Sequence, residues 1–147
     1  PTRRSSDLVP GTDGQKMSKS YDNTIEIFGD EKATRKKIMQ IVTDSTPVED
    51  PKNPDTCTVF NLYKLLADEQ ETADMRQRYE QGGMGYGTAK QALFEKYWET
   101  FRPFRERREE LLANPDDVVA TLKDGQQKAR AIARETLDKV KKKVGLS

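Results

Sequence analysis

Apolar side chains recur at helical spacing over two long stretches of the sequence, and this periodicity constrains the fold more than any other feature. In residues 88–113, and again in residues 115–144, the intervals are about three or four positions. Such spacing places the apolar side chains on one face of an α-helix. Pro103 predicts a kink or a break in the first stretch, and Gly125 predicts an interruption of the second. The pattern therefore predicts a chain that is mainly α-helical.

Shorter apolar stripes predict further helices nearer the N-terminus, separated by segments that cannot be helical. The segment 44–56 contains three prolines and the segment 82–87 contains four glycines, so both are expected to be loops. The predicted helices span residues 30–43, 58–67 and 72–81, after a loop at 9–29 that includes a short extended piece at 24–28. Because the links are short, we expect antiparallel neighbours in a helical bundle.

The composition is balanced in charge and lacks histidine, a residue that many active sites use. Lys and Arg number 26 against 25 Asp and Glu, so the net charge is +1. Leu, Ile, Val and Phe make up only about a fifth of the chain, a fraction low enough to be found in disordered proteins. Disordered chains also carry a large net charge, which this sequence lacks. Histidine is absent, which excludes a Ser-His-Asp triad or a histidine-built zinc site within this chain. We expect a folded protein without metal ligands.

Compartment and membrane association follow from two further features. The single cysteine, Cys57, excludes an internal disulfide framework and fits a reducing compartment. No apolar run reaches the roughly 20 residues that a membrane helix needs. We therefore expect a cytoplasmic protein with no membrane partner.

The first eight residues fit neither a helical nor a strand pattern. Their sequence, PTRRSSDL, equals the translation of a DNA sequencing adapter, so we expect residues 1–8 to be a non-native scar. An ordinary disordered basic arm is the alternative. Without these residues the remaining chain is formally neutral and begins within a longer protein.

A lysine- and serine-containing segment is the strongest indication of chemistry. It consists of Lys16, Met17, Ser18, Lys19 and Ser20. It lies on a loop flanked by Gly11 and Gly14, where two ammonium groups, hydroxyls and backbone N–H groups can converge on a polyphosphate. Nucleotidyl transfer needs positioned cations of this kind, because negative charge builds on the leaving group. The segment therefore predicts a nucleotide-binding loop, with a solvated polar turn as the alternative.

The segment 16–20 resembles the KMSKS loop of class I aminoacyl-tRNA synthetases. In that family the loop ends a Rossmann-like α/β domain and leads into a helical anticodon-binding domain. Residues 37–45, 83–90 and 124–133 are similar to segments of the bacterial-type tryptophanyl-tRNA synthetases. The resemblance covers residues 9–147. It implies that 9–29 end the nucleotide-binding domain, that 30–147 form the anticodon-binding domain, and that the amino-acid pocket lies upstream.

The same resemblance implies roles for the segment. Residues 16–20 would contact ATP, and Lys16 and Lys19 would stabilise the pyrophosphate as the carboxylate of tryptophan attacks the α-phosphate. Met17 is expected to anchor the loop, and Asp22 and Asn23 to cap or turn it. Mg²⁺ would be held largely by the phosphates and would keep several waters. The product, tryptophanyl-adenylate, would pass its acyl group to tRNA(Trp), and the full-length enzyme is expected to be a homodimer.

Candidate contacts with tRNA are basic side chains near the C-terminus. Residues 123–147 hold eight basic and three acidic side chains. We expect Lys128, Arg130 and Arg134 to share a helix face that meets tRNA phosphates, with Lys90 as a further contact; a solvated face is the alternative. The glycine turn 82–87 could be a tight helix connection or a close approach to tRNA.

Three functions remain open from the sequence. The chain could be the incomplete ATP-loop and anticodon-binding part of a tryptophan–tRNA ligase, inactive when separated from the rest. It could instead be a free-standing helical RNA-binding or partner-binding module that keeps the loop as a relic. A fragment of a tyrosyl-tRNA synthetase is the third alternative.

Overall fold

The computed structural model describes residues 8–146, and the regular secondary structure in that range is entirely helical. Following a 3-10 turn at Lys19–Tyr21, the described helices are α1 (Glu31–Met39), α2 (Thr58–Tyr63), α3 (Glu69–Gln81), α4 (Tyr86–Thr100), α5 (Arg102–Ala113) and α6 (Pro115–Lys143). The prediction of a mainly α-helical chain is confirmed, and the extended piece at 24–28 forms no strand. Residues 1–7, most of the segment expected to be non-native, lie outside the described residues.

The described chain divides into two compact units between Pro103 and Phe104. The first unit contains α1 to α4 together with the loop 9–29. That loop is joined to the helices, since Ile25 belongs to their apolar core and its carbonyl accepts a hydrogen bond of 3.3 Å from the Tyr97 hydroxyl. The domain boundary expected between residues 29 and 30 stays a prediction.

The starts and ends of the first helices follow from local hydrogen bonds. The Asp30 carboxylate accepts the Ala33 amide at 2.9 Å, so the N-cap predicted for α1 is confirmed. This helix ends before the predicted residue 43, because the Val42 amide donates instead to the Thr12 carbonyl at 2.9 Å. The start of α3 was predicted too late, since Asp68 and Glu71 form a reciprocal capping box.

The two long periodic stretches behave differently at their helix-breaking residues. The break predicted from Pro103 is confirmed, because α4 ends at Thr100 and Pro103 lies in the first turn of α5, where its missing N–H costs nothing. The interruption predicted from Gly125 is wrong, because α6 continues through it. One glycine costs a helix only about 1 kcal/mol, which the other residues of α6 offset.

The core of the first unit lies where α4 packs against α1 and α2, with α3 packed on α2. Ile38 of α1, Phe60 of α2 and Leu93 of α4 are almost completely buried. Tyr79 of α3 is also buried, with its ring 5.5 Å from that of Phe60. The apolar stripes of the sequence thus face one shared core, which holds the loop 9–29 on its surface.

The second unit, described from residue 104 to residue 146, contains the remainder of α5 and all of α6. None of its described residues is buried. The apolar stripe of α6 is present as predicted, but Ile132 is 70% exposed and Leu122 is 67% exposed. Its helical form therefore rests on local hydrogen bonds and not on a core.

Candidate nucleotide-binding loop and basic helix

Residues 9–23, here called the signature loop, begin with a tight reversal of the chain. The Met17 amide donates to the Val9 carbonyl at 3.0 Å, and the Gly11 amide donates to the Gln15 carbonyl. Gly14 has φ +80°, a backbone conformation that favours glycine, so the sequence can turn there. Lys16 is consequently presented on the exposed side of a narrow, hydrogen-bonded hairpin.

The second half of the signature loop is a capped 3-10 turn. The Ser18 hydroxyl accepts the Ser20 amide at 3.3 Å, and Asp22 ends the turn in a left-handed conformation with φ 49°. Lys37 on α1 holds this end, because its ammonium donates to the carbonyl oxygen of Asp22 at 2.6 Å and to its carboxylate at 3.1 Å. The expectation that Asp22 caps or turns the loop is confirmed.

Asn23 lies beneath both halves of the signature loop and is 2% exposed. Its side-chain oxygen accepts the Ser18 amide at 2.7 Å, and its amide group donates to the Lys16 carbonyl at 3.1 Å and to the Asp13 carboxylate at 2.8 Å. The bond from Asn23 lowers the pKa of the Asp13 carboxyl. The turning role expected of Asn23 is therefore present, and it joins the two halves of the loop.

The two lysines of the signature segment are exposed. Within the part of the chain that the structure describes, the ammonium groups of Lys16 and Lys19 have no hydrogen-bond or ion-pair partner. Met17, between them, is half-buried against the core near Ile25 and Leu62, as expected of an anchor. The loop thus combines a fixed backbone with two cations that are available to an anionic ligand.

The glycine turn approaches another part of the protein closely. The Gly83 amide donates to the Val48 carbonyl at 2.8 Å, and a Cβ at Gly82 would overlap the Glu49 carbonyl oxygen. The ammonium of Lys52 is buried among the carbonyls of residues 47, 48 and 50 and lies 5.5 Å from the Tyr86 ring. These contacts fit the structural alternative for this turn, since the glycines make room for the loop 44–56.

Tyr86 and Lys90 of α4 are both engaged within the first unit. The Tyr86 hydroxyl donates to the Asp44 carboxylate at 2.7 Å, and burial together with this bond raises the pKa of Tyr86 to about 12. The Lys90 ammonium donates to the Met39 carbonyl at 3.1 Å, and burial lowers the pKa of Lys90. Lys90 therefore closes the C-terminal end of α1, and a contact with a tRNA phosphate would replace that bond.

The basic side chains expected to share one face of α6 do not all do so. Consecutive helical residues are about 100° apart, so Lys128 lies about 160° around the helix from Arg130 and about 120° from Arg134. Lys128 also pairs with Asp124 at 2.7 Å. The grouping of Lys128 with the two arginines is wrong.

Two other lysines share the face of the arginines. Lys123 and Lys141 fall within an arc of about 40° with Arg130 and Arg134 along the continuous helix α6. All four residues are exposed. The sequence already indicates this shared face, because the four residues follow one another at helical intervals of 7, 4 and 7 residues. We call these four residues the basic stripe.

The described residues offer neither a metal-ligand cluster nor a membrane-spanning helix. Between residues 8 and 146, no group of three or more Cys, Asp or Glu side chains is arranged to hold a metal ion. No helix in the same range is long and apolar enough to cross a membrane.

Comparison with known families identifies the class of the chain. The family model described as "tRNA synthetases class I (W and Y)" matches residues 1–102. The match ends one residue before the end of the first compact unit. The chain belongs to this family of class I tRNA synthetases, in agreement with the resemblance of its signature segment.

Individual relatives carry names specific to tryptophan. The tryptophan–tRNA ligase of Rhodopirellula baltica is 49% identical over 138 residues, which are 94% of this chain and 43% of that protein. The tryptophan–tRNA ligase of Campylobacter jejuni is 48% identical over 139 residues, or 95% of this chain and 44% of that protein. The chain thus spans less than half the length of these curated relatives.

A solved structure shows the same similarity in three dimensions. The crystal structure of tryptophanyl-tRNA synthetase from Campylobacter jejuni complexed with ADP and tryptophan has 47% sequence identity and a TM-score of 0.90. The match covers 95% of this chain and 44% of that one.

Proposed function

We propose that this chain supplies the ATP-closing loop and tRNA-binding helices of a tryptophan–tRNA ligase. The observation that carries the proposal is the signature loop, where two exposed lysines without partners among the described residues stand on a fixed backbone. The high identity to tryptophan–tRNA ligases supports tryptophan as the amino acid. The solved relative whose title names ADP and tryptophan supports a nucleotide as the ligand.

The proposed chemistry is activation of tryptophan by adenylate formation. A carboxylate oxygen of tryptophan attacks the α-phosphorus of ATP, and the bond from that phosphorus to the bridging oxygen breaks. Pyrophosphate leaves with the bonding electrons, so negative charge grows on its oxygens. Lys16 and Lys19 offset that charge from positions set before the reaction, so little reorganisation is needed during it. Mg²⁺, held largely by the phosphates, would add further charge neutralisation.

The second proposed step transfers the acyl group to tRNA(Trp). The oxygen of the terminal ribose hydroxyl attacks the carbonyl carbon of tryptophanyl-adenylate, the bond from that carbon to the phosphate oxygen breaks, and AMP leaves as the hydroxyl proton is released. We assign residues 9–29 to the end of the nucleotide-binding domain and residues 30–147 to the anticodon-binding domain. Of the four residues first expected to meet tRNA, Arg130 and Arg134 remain the better placed, because Lys90 and Lys128 already have partners. A homodimer in the cytoplasm is part of the same proposal.

Adenylate formation can be measured by tryptophan-dependent exchange of pyrophosphate into ATP. The full-length protein that carries this chain should catalyse the exchange. The 147-residue chain alone should not exceed background, because the amino-acid pocket is expected upstream. Exchange by the isolated chain, or its absence in the full-length protein, would contradict the proposal.

A further inference from the structure

We propose that Asn23 is a positioning residue for the reaction, which fixes the backbone that carries Lys16 and Lys19. This inference rests on the proposed function and extends it to a residue outside the signature segment. It starts from the burial of Asn23, which is 2% exposed although its side chain is polar and belongs to a surface loop. Such burial is costly unless every polar atom is satisfied, so the hydrogen bonds of Asn23 show what it stabilises.

The side chain of Asn23 joins three points of the signature loop. Its oxygen accepts the Ser18 amide at 2.7 Å, while one hydrogen of its amide group is donated to the Lys16 carbonyl at 3.1 Å. These two bonds fix the peptide groups on either side of Met17, which lies between the two halves of the signature segment that carry Lys16 and Lys19. The other amide hydrogen is donated to the Asp13 carboxylate at 2.8 Å, which ties the side chain to the hairpin.

Only an amide can make this set of bonds. A carboxylate at position 23 would accept the Ser18 amide but could donate to neither the Lys16 carbonyl nor Asp13. It would also place a second negative charge against the Asp13 carboxylate. Asn23→Asp therefore removes the positioning function with almost no change in size.

Gly11 provides the space that the Asn23 side chain occupies. A Cβ at Gly11 would overlap the Asn23 amide and would lie 2.8 Å from its Cβ atom. The nearest neighbours of that added carbon all belong to Asn23. Gly11 and Asn23 therefore form one packed unit, and Gly11→Ala should displace the same side chain that Asn23→Asp disables.

The first test uses hydrogen exchange in the unmodified chain. The Ser18 amide is bonded to Asn23, whereas the Lys19 amide has no partner among the described residues. The Ser18 amide should exchange at least about tenfold more slowly than the Lys19 amide, after correction for intrinsic rates. Equal exchange would overturn the proposal without any variant being made.

The second test compares variants by limited proteolysis. Trypsin cleavage after Lys16 and Lys19 should rise by about tenfold in Asn23→Asp and in Gly11→Ala, because both release the loop backbone. Matched controls are Asn53→Asp, where the exposed side chain acts only as an acceptor for the Asp55 amide, and Gly87→Ala, which has open space around it. Unchanged cleavage in both loop variants would overturn the proposal. If both variants unfold, the hydrogen-exchange rate of the Ser18 amide in the unmodified chain tests the proposal instead.

The third test separates positioning from substrate binding in the full-length protein. Asn23→Asp should lower kcat for ATP–pyrophosphate exchange by about 100-fold, the loss expected for a displacement of about 1 Å, while KM for tryptophan changes less than about twofold. Asn23→Asp with unchanged kcat would overturn the role of Asn23 and leave the proposed function intact. Wild-type protein without exchange would overturn the proposed function itself.

Discussion

The signature loop and helix α6 both present exposed cationic side chains, yet they place them by opposite means. In the loop, the backbone beside Lys16 and Lys19 is fixed by a buried asparagine and by contacts with the core. In α6, none of the described residues is buried, and the helical repeat alone aligns the basic stripe. The loop should therefore be sensitive to single contacts, and α6 to the amount of charge.

The largest expected difference between the two regions is in the stability that one apolar side chain provides. Phe60 is completely buried, so Phe60→Ala should lower the free energy of unfolding of the first unit by about 3–5 kcal/mol. Ile132 on α6 is 70% exposed, and Ile132→Ala should change the free energy of unfolding of the second unit by less than about 0.5 kcal/mol. Denaturant unfolding followed by circular dichroism, which reports the helices of both units, measures both effects. Equal losses of unfolding free energy in the two variants would contradict the expected difference between the two regions.

A cation of the signature loop should matter more for activation than one outside it. In the full-length protein, Lys19→Ala should raise the activation barrier by about 2–4 kcal/mol, if it equals the loss of one preorganised donor. The rate of pyrophosphate exchange would then fall by about 30- to 1,000-fold. Lys32→Ala, on the exposed side of α1, is the matched control and should change the rate by less than about twofold. An unchanged rate in Lys19→Ala would remove that residue from the mechanism.

Two adjacent glycines can show how tightly the first unit is packed around its irregular segments. Gly82 and Gly83 both have positive φ, so alanine at either should cost about 1–2 kcal/mol. Only at Gly82 would the Cβ also overlap the backbone of the loop 44–56, which should add about 1–3 kcal/mol. The difference between the two variants in denaturant unfolding measures that close approach. Equal losses of stability in the two variants would show that the loop 44–56 moves away from the added Cβ without strain.

The smallest expected effect concerns the basic stripe, where each charge contributes a little. A double variant should make the dependence of tRNA affinity on salt less steep. We expect the magnitude of the slope of log affinity against log salt to fall by about 2 in Arg130→Gln/Arg134→Gln, one unit for each lost phosphate contact. Lys128→Gln should leave that slope unchanged, because Lys128 lies on another side of α6 and pairs with Asp124. Filter binding at several salt concentrations gives the slopes. A larger change for Lys128→Gln would place tRNA on the opposite face.

The sequence predicted those elements whose cause is local. Apolar periodicity predicted the helices, Asp30 predicted a cap and Pro103 predicted a break, because each of these acts on its own turn of chain. The capping box of Asp68 and Glu71 is also visible in the sequence, but the predicted helix began at residue 72, three residues after the observed start at Glu69. The effect of Gly125 was misjudged, since a long helix tolerates one glycine.

The rest of the candidate site depends on contacts between segments that are distant in sequence. The signature segment was visible in the sequence as a pattern of residue types. That Lys37 and the buried Asn23 fix its backbone could be seen only from the folded structure. Lys90 is a similar case, because its partner, the Met39 carbonyl, lies 51 residues away. Patterns of residue type show which chemistry is present, whereas burial and partners decide which of those groups remain available.

Aminoacylation of tRNA(Trp) and tRNA(Tyr) by the full-length protein tests the central claim most directly. The family model spans both amino acids, whereas the relatives described above are named for tryptophan. We expect that tryptophan is attached to tRNA(Trp) and that tyrosine is not charged above background. Predominant charging with tyrosine, or charging with neither amino acid, would contradict it.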